Sequence, residues 1–301
     1  MSAFPDRFDV IIVGGSYAGM SAALQLVRAW RSVLVIDSGT PRNRNAVVAH
    51  GFLGREGMAP AEIAAQSRGE LMRYPSLAWL TGRAIRAEVL GGGKRFDIHC
   101  EGGQRFSARR LILAYGVTDT LPAIDGLAER WGRSVLHCPY CHGYELQEGR
   151  IGVVGCSDDG GAAQALLLCD WGNVTLFCSD AARIDPAQKA RLDACGVLIE
   201  TTPVLRVDEQ ATVVLTDGRR VVTDALFVAP VARLSCDLAQ QLGCELQDAG
   251  CITADSAKQT TVEGVFACGD AARMAGNIAL SVGEGALAGV AVHHSLVGLL
   301  D

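Results

Sequence analysis

The sequence predicts an α/β protein with two Rossmann-like nucleotide-binding domains, each a three-layer ββα arrangement. Three observations favour this class. A β-branched run over 9–13 leads straight into a glycine turn over 14–19 and then into a helix-compatible stretch. The same order of strand, glycine turn and helix returns over 150–171. The chain also has 301 residues, 49% of them hydrophobic, and 35 glycines, which suits a globular protein of about two domains.

The first unit predicts a strand over 9–13, a helix over 20–30 and a second strand over 32–36 that ends at an aspartate. Such a turn lets backbone N–H groups and a helix N-terminus meet a pyrophosphate, while an acid about twenty residues later binds ribose hydroxyls. Ser16 replaces the usual second glycine; its Cβ crowds a phosphate, although its hydroxyl can donate to one. The alternative is a βαβ unit that holds no nucleotide. The predicted site residues are Gly14, Ser16, Tyr17, Ala18, Gly19, Asp37 and Ser38.

Later segments extend this predicted site. A polar loop carries two arginines suited to an anionic cofactor, and a glycine-containing loop with a histidine precedes a helix expected over 59–74. Strands are expected over 79–90, 95–100 and 105–115, and a strand over 264–268 ends in Gly-Asp before a helix over 277–299. An aspartate there is positioned to bind ribityl or ribose hydroxyls. The added candidates are Arg42, Arg44, His50, Ala114, Gly116, Gly269, Asp270, Asn277 and Ile278.

The second unit repeats the order of elements of the first, but its residues are less suited to bind a nucleotide. Its predicted strands span 150–154 and 174–177, and its helix spans 162–171. Aspartates at 158 and 159 disfavour a pyrophosphate, Cys178 stands where the first unit has its acid, and only Arg183 lies near for a 2′-phosphate. The candidate residues of this second nucleotide site are Gly155, Ser157, Gly160 and Asp180, and the use of NADPH, NADH or neither stays open.

Composition excludes several classes of function. The net charge is −6 without a block of like charge, so neither a nucleic-acid surface nor a membrane patch is expected. No run of about 18 apolar residues is present, and an acidic N-terminus is unlike a signal peptide. We therefore expect a cytoplasmic protein. Its eleven cysteines do not predict a disulfide scaffold; most, including Cys100, Cys169 and Cys268, are expected to be small buried hydrophobes.

Between the two units lies the pair Cys138 and Cys141, which is followed by His142. Two cysteines two residues apart can close a small disulfide used for exchange, but this spacing alone is weak evidence. Half of a zinc site is an alternative, although no second such pair completes four ligands. Inert reduced cysteines in a structural loop are another.

The motifs along the chain are the glycine turn over 14–19, the stretch over 114–116, the cysteine pair, the second glycine turn and Gly269-Asp270. In this order they resemble the motifs of the low-molecular-weight thioredoxin reductases. The stretches His137–Glu145 and His50–Leu53 further resemble the branch of dithiol oxidases that act on gliotoxin, holomycin and related disulfide natural products. The resemblance implies the pyridine nucleotide-disulfide oxidoreductase fold and a homodimer. It also implies a discontinuous FAD-binding domain, 1–117 plus 245–301, with an inserted NAD(P)-binding-like domain, 118–244, that carries the cysteine pair.

The resemblance also implies roles for the pair. Cys141 would face the flavin and Cys138 would exchange with substrate, while His142 replaces the family's acid as acid–base group. One hypothesis is an oxidase that passes electrons from a small-molecule dithiol to FAD and then to O₂ or NAD(P)⁺. The alternative is an NAD(P)H-dependent or other donor-dependent reductase of thioredoxin or a small disulfide. A flavin-bound binding protein without turnover is the third.

Overall fold

The computed structural model describes residues 5–92, 95–156, 160–273 and 276–300. The chain divides into two compact units. Unit 1 comprises Met1–Arg42, Ala61–Thr118 and Arg233–Asp301, and unit 2 comprises Asn43–Pro60 and Asp119–Ala232. Among the described residues, no helix is long and apolar enough to cross a membrane.

Unit 1 is built on a mixed sheet with the strand order β3-β2-β1-β6-β5-β4. Its strands are β1 (Arg7–Val13), β2 (Val33–Asp37), β3 (Leu77–Thr81), β4 (Ala84–Leu90), β5 (Arg95–Cys100), β6 (Arg105–Leu113) and β17 (Val265–Ala267), and its helices are α1 (Tyr17–Arg28), α2 (Pro60–Leu71), α6 (Leu238–Gln241) and α7 (Ile278–Leu296). The first part of β6 pairs antiparallel with β5 and its last three residues pair parallel with β17. One edge of β6 is therefore shared between a neighbouring strand and the C-terminal part of the chain.

The core of unit 1 follows from its buried strands. Ile11 and Ile12 of β1 and Leu111 of β6 are fully buried, as expected for parallel strands covered on both faces. On one side α1 packs against α7, where a Cβ on Gly289 would stand 2.6 Å from the carbonyl oxygen of Ala22. These two helices approach so closely because glycine provides no side chain at the contact.

Unit 2 contains a parallel sheet with the strand order β11-β10-β9-β15-β8 and a separate antiparallel sheet, β12-β13-β14. The strands are β8 (Val135–Leu136), β9 (Arg150–Val154), β10 (Asn173–Phe177), β11 (Leu198–Glu200), β12 (Val204–Asp208), β13 (Thr212–Leu215), β14 (Arg220–Val221) and β15 (Ala225–Val228), and the helices are α3 (Pro139–His142), α4 (Gly161–Leu168) and α5 (Pro186–Ala194). Ile151, Val153 and Phe227 form the centre of its core. The chain passes between the units within β7 (Val117–Thr120) and β16 (Val231–Leu234), which pair with each other.

The predicted α/β class is confirmed, and the structure differs from the predicted elements and bounds in three respects. The single strand expected over 79–90 is two strands, because the chain breaks at Gly82, whose N–H donates to the carbonyl of Asp37. Residues 233–244 cluster with unit 1 rather than with the insert, since Leu238 and Leu242 pack into the core of unit 1. Residues 43–60 cluster with unit 2.

Candidate functional site

Strand register brings the first set of predicted residues to one edge of the unit 1 sheet. Val13 pairs with both Ile36 and Leu113, and Leu113 also pairs with Ala267. The residues that follow these strands therefore meet at the carboxyl edge, where open α/β sheets bind ligands. They include the glycine turn, Asp37, Ala114 and the Gly269-Asp270 pair.

The glycine turn over 14–19 is tight for a steric reason. Gly14 has a φ of +105°, and a Cβ there would clash with the backbone of Ala114. A Cβ on Gly19 would clash with the carbonyl of Gly14. Ser16 is the N-cap of α1 but its side chain makes no capping hydrogen bond. Its hydroxyl and the N–H groups of the first helical turn are thus suited to bind a phosphate.

Asp37 lies at the end of β2, and its Oδ1 accepts the backbone N–H of Gly15 at 3.1 Å. Next along the chain, Ser38 Oγ and Thr40 Oγ1 share a hydrogen bond of 2.9 Å. The contact from Gly15 fixes the carboxylate beside the turn. Asp37 is therefore held where an acid can accept from ribose hydroxyls.

Asp270 follows β17, and its Oδ2 accepts from Nη1 of Arg42 at 2.9 Å. The helix that follows begins with Asn277 as N-cap, whose side chain accepts from the N–H of Leu280 at 2.8 Å, and Ile278 is its first residue. Arg42 thus neutralises part of the charge at this edge. Arg44 and His50, which were predicted to belong to the same site, lie in the 43–60 segment of unit 2.

Sequence reasoning missed Glu284, a buried acid in the middle of α7. Its carboxylate accepts from the N–H of Gly269 at 3.0 Å, from Lys258 Nζ at 2.8 Å and from Arg273 Nη2 at 2.7 Å. Burial alone would raise the pKa of Glu284, but donation by Lys258 and Arg273 outweighs it and holds the pKa below its usual value. The signal in the sequence is a single acid within an otherwise apolar helical stretch.

Cys138 and Cys141 form a disulfide with their Cα atoms 5.3 Å apart. Cys138 is the N-cap of the one-turn helix α3, and Pro139 occupies its first position, where the absent N–H is not needed. Both cysteines are half-buried, so a small thiol can approach the pair. In the described part of the chain no cluster of His, Cys, Asp and Glu could hold a metal ion.

Histidines and glutamates interact with one another and with His142 within unit 2. His50 Nδ1 lies 2.6 Å from Glu56 Oε1, and His50 Nε2 lies 3.5 Å from Glu145 Oε1. Burial lowers the pKa of His142, Glu145 raises it and His50 lowers it further, with a net shift below the usual value. His142 is therefore neutral at neutral pH and able to accept a proton. Glu56 and Glu145 were not predicted as site residues.

Large apolar side chains are exposed in the same unit. Leu53, Tyr140 and Tyr144 are 98%, 72% and 85% exposed, and Tyr140 meets Trp171 edge to face with ring centroids 5.5 Å apart. Tyr140 lies between the two cysteines in the sequence. An aromatic surface of this kind suits a small, partly apolar ligand better than a highly charged one.

The second glycine turn differs from its prediction. Gly155 has a φ of +142°, and its N–H donates to the carbonyl of Phe177 at 3.1 Å, as Gly14 does to Ile36. The counterpart of Gly19 is Gly161 rather than Gly160, because a Cβ on Gly161 would stand 2.5 Å from the backbone of Gly155. Ser157 and the two aspartates after it lie outside the described residues.

The acid predicted for this second site is already engaged. Asp180 accepts from the N–H of Ala182 at 3.0 Å and caps a short 3-10 turn over 181–183. Cys178 forms a disulfide with Cys156. The sequence did not predict this disulfide, since most cysteines were expected to be small buried hydrophobes. Cys100 and Cys268 are buried free thiols, whereas Cys169 is only half-buried. Burial raises the pKa of Cys268 to about 12.

Known proteins share this arrangement along nearly the whole chain. The model of the pyridine nucleotide-disulphide oxidoreductase family matches residues 8–294. Thioredoxin reductase tcpT of Claviceps purpurea (strain 20.1) is 34% identical over 297 residues, which are 93% of this chain and 92% of the relative.

Solved structures agree with this match. The oxidoreductase from Agrobacterium tumefaciens is 49% identical with a TM-score of 0.92, over 97% of this chain and 99% of that one. The structure of HlmI is 35% identical with a TM-score of 0.93, over 99% of this chain and 95% of that one. This chain therefore belongs to the pyridine nucleotide-disulphide oxidoreductase family and is a thioredoxin reductase-like enzyme.

Proposed function

We propose that the protein is an FAD-dependent thiol–disulfide oxidoreductase that oxidises a small-molecule dithiol to a disulfide through Cys138 and Cys141. The observation that carries this proposal is the half-buried disulfide followed directly by His142, whose pKa burial lowers. A neutral imidazole beside a disulfide can take the proton of an incoming thiol, which is the step that a dithiol oxidase needs first.

Unit 1 fits FAD by the chemistry of its donors and acceptors. The turn over 14–19 and the first turn of α1 would bind the pyrophosphate, with the free Ser16 hydroxyl as an added donor. Asp37 would accept from ribose hydroxyls and Asp270 from the ribityl chain. When bound, the flavin supplies a two-electron acceptor for the cysteine pair, with O₂ or an oxidised nicotinamide as the final oxidant.

The residues of unit 2 would carry out the thiol exchange. His142 accepts a proton from one substrate thiol, and the resulting thiolate attacks Sγ of Cys138. The Cys138–Cys141 bond breaks, Cys141 leaves as a thiolate, and a mixed disulfide joins the substrate to Cys138. The second substrate thiol releases its proton to solvent and, as a thiolate, attacks the substrate sulfur of that mixed disulfide. The substrate disulfide forms, Cys138 is released as a thiolate, and two electrons have passed to the pair.

The surface around the pair supports a small substrate. Tyr140 and Tyr144 are exposed aromatic side chains, and Leu53 is almost fully exposed. Tyr140 stands between the two cysteines in the sequence and Tyr144 three residues after Cys141, so both aromatic side chains offer apolar contact area near the pair. By resemblance to its family, we infer that the enzyme acts as a homodimer.

A reductase running in the opposite direction is the second candidate, because the relative from Claviceps purpurea is named a thioredoxin reductase. Electrons would then pass from NADPH or NADH to thioredoxin or to a small disulfide. The Cys156–Cys178 disulfide argues against this direction, since Cys178 stands where unit 1 has the acid expected to bind the ribose.

Anaerobic reduction of the bound flavin, measured by stopped-flow absorbance, tests the proposal. The purified enzyme is mixed in parallel with dithiothreitol, NADPH and NADH. We expect rapid bleaching with the dithiol and none with either nucleotide, and we expect Cys138→Ser to lose the dithiol reaction while Cys195→Ser, an exposed free cysteine of the same unit, retains it. Bleaching by a nucleotide but not by the dithiol would instead establish the reductase.

A further inference from the structure

A second disulfide lies in the core of unit 2, away from the surface. Cys156 and Cys178 are 3% and 1% exposed, and their Cα atoms are 5.2 Å apart. Cys156 stands two residues after β9, and Cys178 directly follows β10, the strand that pairs with β9. The disulfide thus joins the glycine turn to the end of the neighbouring strand.

The same two positions are occupied differently in unit 1. Gly15 stands two residues after β1, and Asp37 is the residue after Ile36, just as Cys178 is the residue after Phe177. There the two positions are joined by a hydrogen bond from Gly15 N–H to Asp37 Oδ1 of 3.1 Å. A covalent bond between two sulfurs therefore replaces a hydrogen bond between a turn and a ribose-binding acid.

This replacement removes what a dinucleotide needs. A sulfur at position 178 offers no carboxylate to ribose hydroxyls, and Asp180 lies two residues farther along the chain, where it caps a turn. In unit 1 the position of Cys156 requires glycine, because a Cβ on Gly15 would stand 2.5 Å from the ring of Trp79 and 2.7 Å from Cβ of Asp37. Among the described residues of unit 2, the position that matches Asp37 therefore lacks the acid that a dinucleotide needs.

We propose that Cys156–Cys178 is a second thiol–disulfide site, one that a dithiol can reduce, and that this cysteine pair excludes nicotinamide dinucleotides from unit 2 by replacing the glycine and the acid found at the same positions of unit 1. Since it concerns a separate cysteine pair, this proposal does not depend on the direction of electron flow through Cys138.

The redox step has a simple balance. A thiolate of the dithiol attacks one of the two sulfurs, the Cys156–Cys178 bond breaks, and a mixed disulfide forms. The second thiol of the dithiol then attacks its own first sulfur, which leaves two cysteine thiols and an oxidised dithiol. Two electrons and two protons pass to the protein. Cys178 Sγ lies 3.2 Å from the carbonyl oxygen of Asp180, so the thiol formed at Cys178 can donate a hydrogen bond to that oxygen.

The Cys156–Cys178 pair is more deeply buried than the Cys138–Cys141 pair. Exchange requires access to a sulfur, and both sulfurs here are almost fully buried, whereas Cys138 and Cys141 are half-buried. We therefore expect Cys156–Cys178 to react at least tenfold more slowly with a small dithiol. Differential alkylation of the native flavin-loaded enzyme, followed by mass spectrometry at graded dithiothreitol, measures both rates. The exposed Cys195 is the internal reference, because it should be alkylated throughout.

Nucleotide exclusion is tested by isothermal titration calorimetry with NADH and with NADPH. Two double variants remove the disulfide: Cys156→Gly with Cys178→Asp, which reproduces the Gly15 and Asp37 pair, and Cys156→Ala with Cys178→Ala, which guards against misfolding of the first. We expect the glycine–aspartate variant to bind NADH at least tenfold more tightly than the oxidised enzyme. Cys195→Ser should bind like the parent.

Three results would overturn the proposal. In the first, no linked Cys156–Cys178 peptide is found in the untreated enzyme, or that pair resists dithiothreitol under conditions that open it in the unfolded chain. In the second, the oxidised enzyme binds nucleotide as tightly as the variants. In the third, both folded double variants still fail to bind it. None of these results depends on whether the enzyme oxidises dithiols, so the two proposals fail separately.

Discussion

The carboxylate of Glu284 accepts the backbone N–H of Gly269 at 3.0 Å, and so α7 holds the turn that presents Asp270. Lys258, only 15% exposed, donates to the same carboxylate. Replacing Glu284 with leucine would leave this ammonium without its partner, and we expect a loss of about 3 kcal/mol in the free energy of unfolding. Glu284→Gln retains an acceptor for Gly269 and should lose less. Urea denaturation of the three proteins measures the difference.

The lowered pKa of Glu284 also predicts a dependence of stability on pH. Since the folded protein binds the proton of this group less tightly than the unfolded chain, its contribution is present above the usual glutamate pKa of about 4.3 and lost as pH falls through the lowered value. Urea midpoints measured below about pH 4.3 should fall more steeply for the parent than for Glu284→Gln. Equal slopes would contradict an ionised Glu284.

The lowered pKa of His142 predicts the pH dependence of the exchange reaction. Its imidazole stays neutral from high pH down to its usual pKa of about 6.5 and becomes protonated only as pH falls through the lower folded value. We expect the rate of disulfide reduction by a dithiol to show an acid limb with a midpoint below about 6.5. His142→Gln should remove this limb and slow the reaction by about 10²-fold or more. Single-turnover stopped-flow across this range measures both, and a limb that persists in the variant would contradict the assigned role.

Asp37 is predicted to contribute to flavin affinity. Asp37→Ala removes an acceptor for ribose hydroxyls, and a hydrogen bond to a charged group is worth about 1.5–3 kcal/mol, so FAD affinity should fall by roughly 10- to 150-fold. Fluorescence titration of the apoprotein with FAD measures this change. The matched change Asp180→Ala in unit 2 should leave FAD affinity unaltered, and an equal loss in both variants would contradict the assignment of FAD to unit 1.

The disulfide between Cys156 and Cys178 is predicted to stabilise the fold. It closes a loop of 22 residues, and the entropy removed from the unfolded chain corresponds to ~3 kcal/mol. The double variant Cys156→Ala, Cys178→Ala should therefore unfold at lower urea than the parent under non-reducing conditions. With excess reductant the difference between the two proteins should largely disappear.

The sequence predicted those features that local patterns carry. β-branched runs and glycine turns specify buried parallel strands and their crossovers, so the α/β fold of the two units could be predicted from the sequence. Strand order and register then bring Gly14, Asp37 and Ala114 to the same edge, since each lies at or directly after the end of a paired strand.

What the sequence did not predict depends on contacts between distant residues. Cys156 and Cys178 are 22 positions apart, and this spacing has no meaning until β9 and β10 are paired. The contact between His50 and Glu145 likewise joins segments without a shared pattern. Residues 233–244, which were expected in the insert, pack with unit 1 through Leu238 and Leu242, and the apolar character of these leucines does not by itself indicate which core they join.

The shared edge of β6 has a consequence for synthesis on the ribosome. β6 and α1 are synthesised before their partners β17 and α7, which follow about 150 and about 250 residues later in the chain. At a synthesis rate of roughly 5–20 residues per second, on the order of ten to fifty seconds pass between the synthesis of α1 and that of α7. During this time the apolar face of α1 lacks the helix that covers it. The middle of the chain is complete well before then. Nascent chains of this protein thus carry an unfinished N-terminal sheet for most of translation, a period during which chaperone binding would matter most.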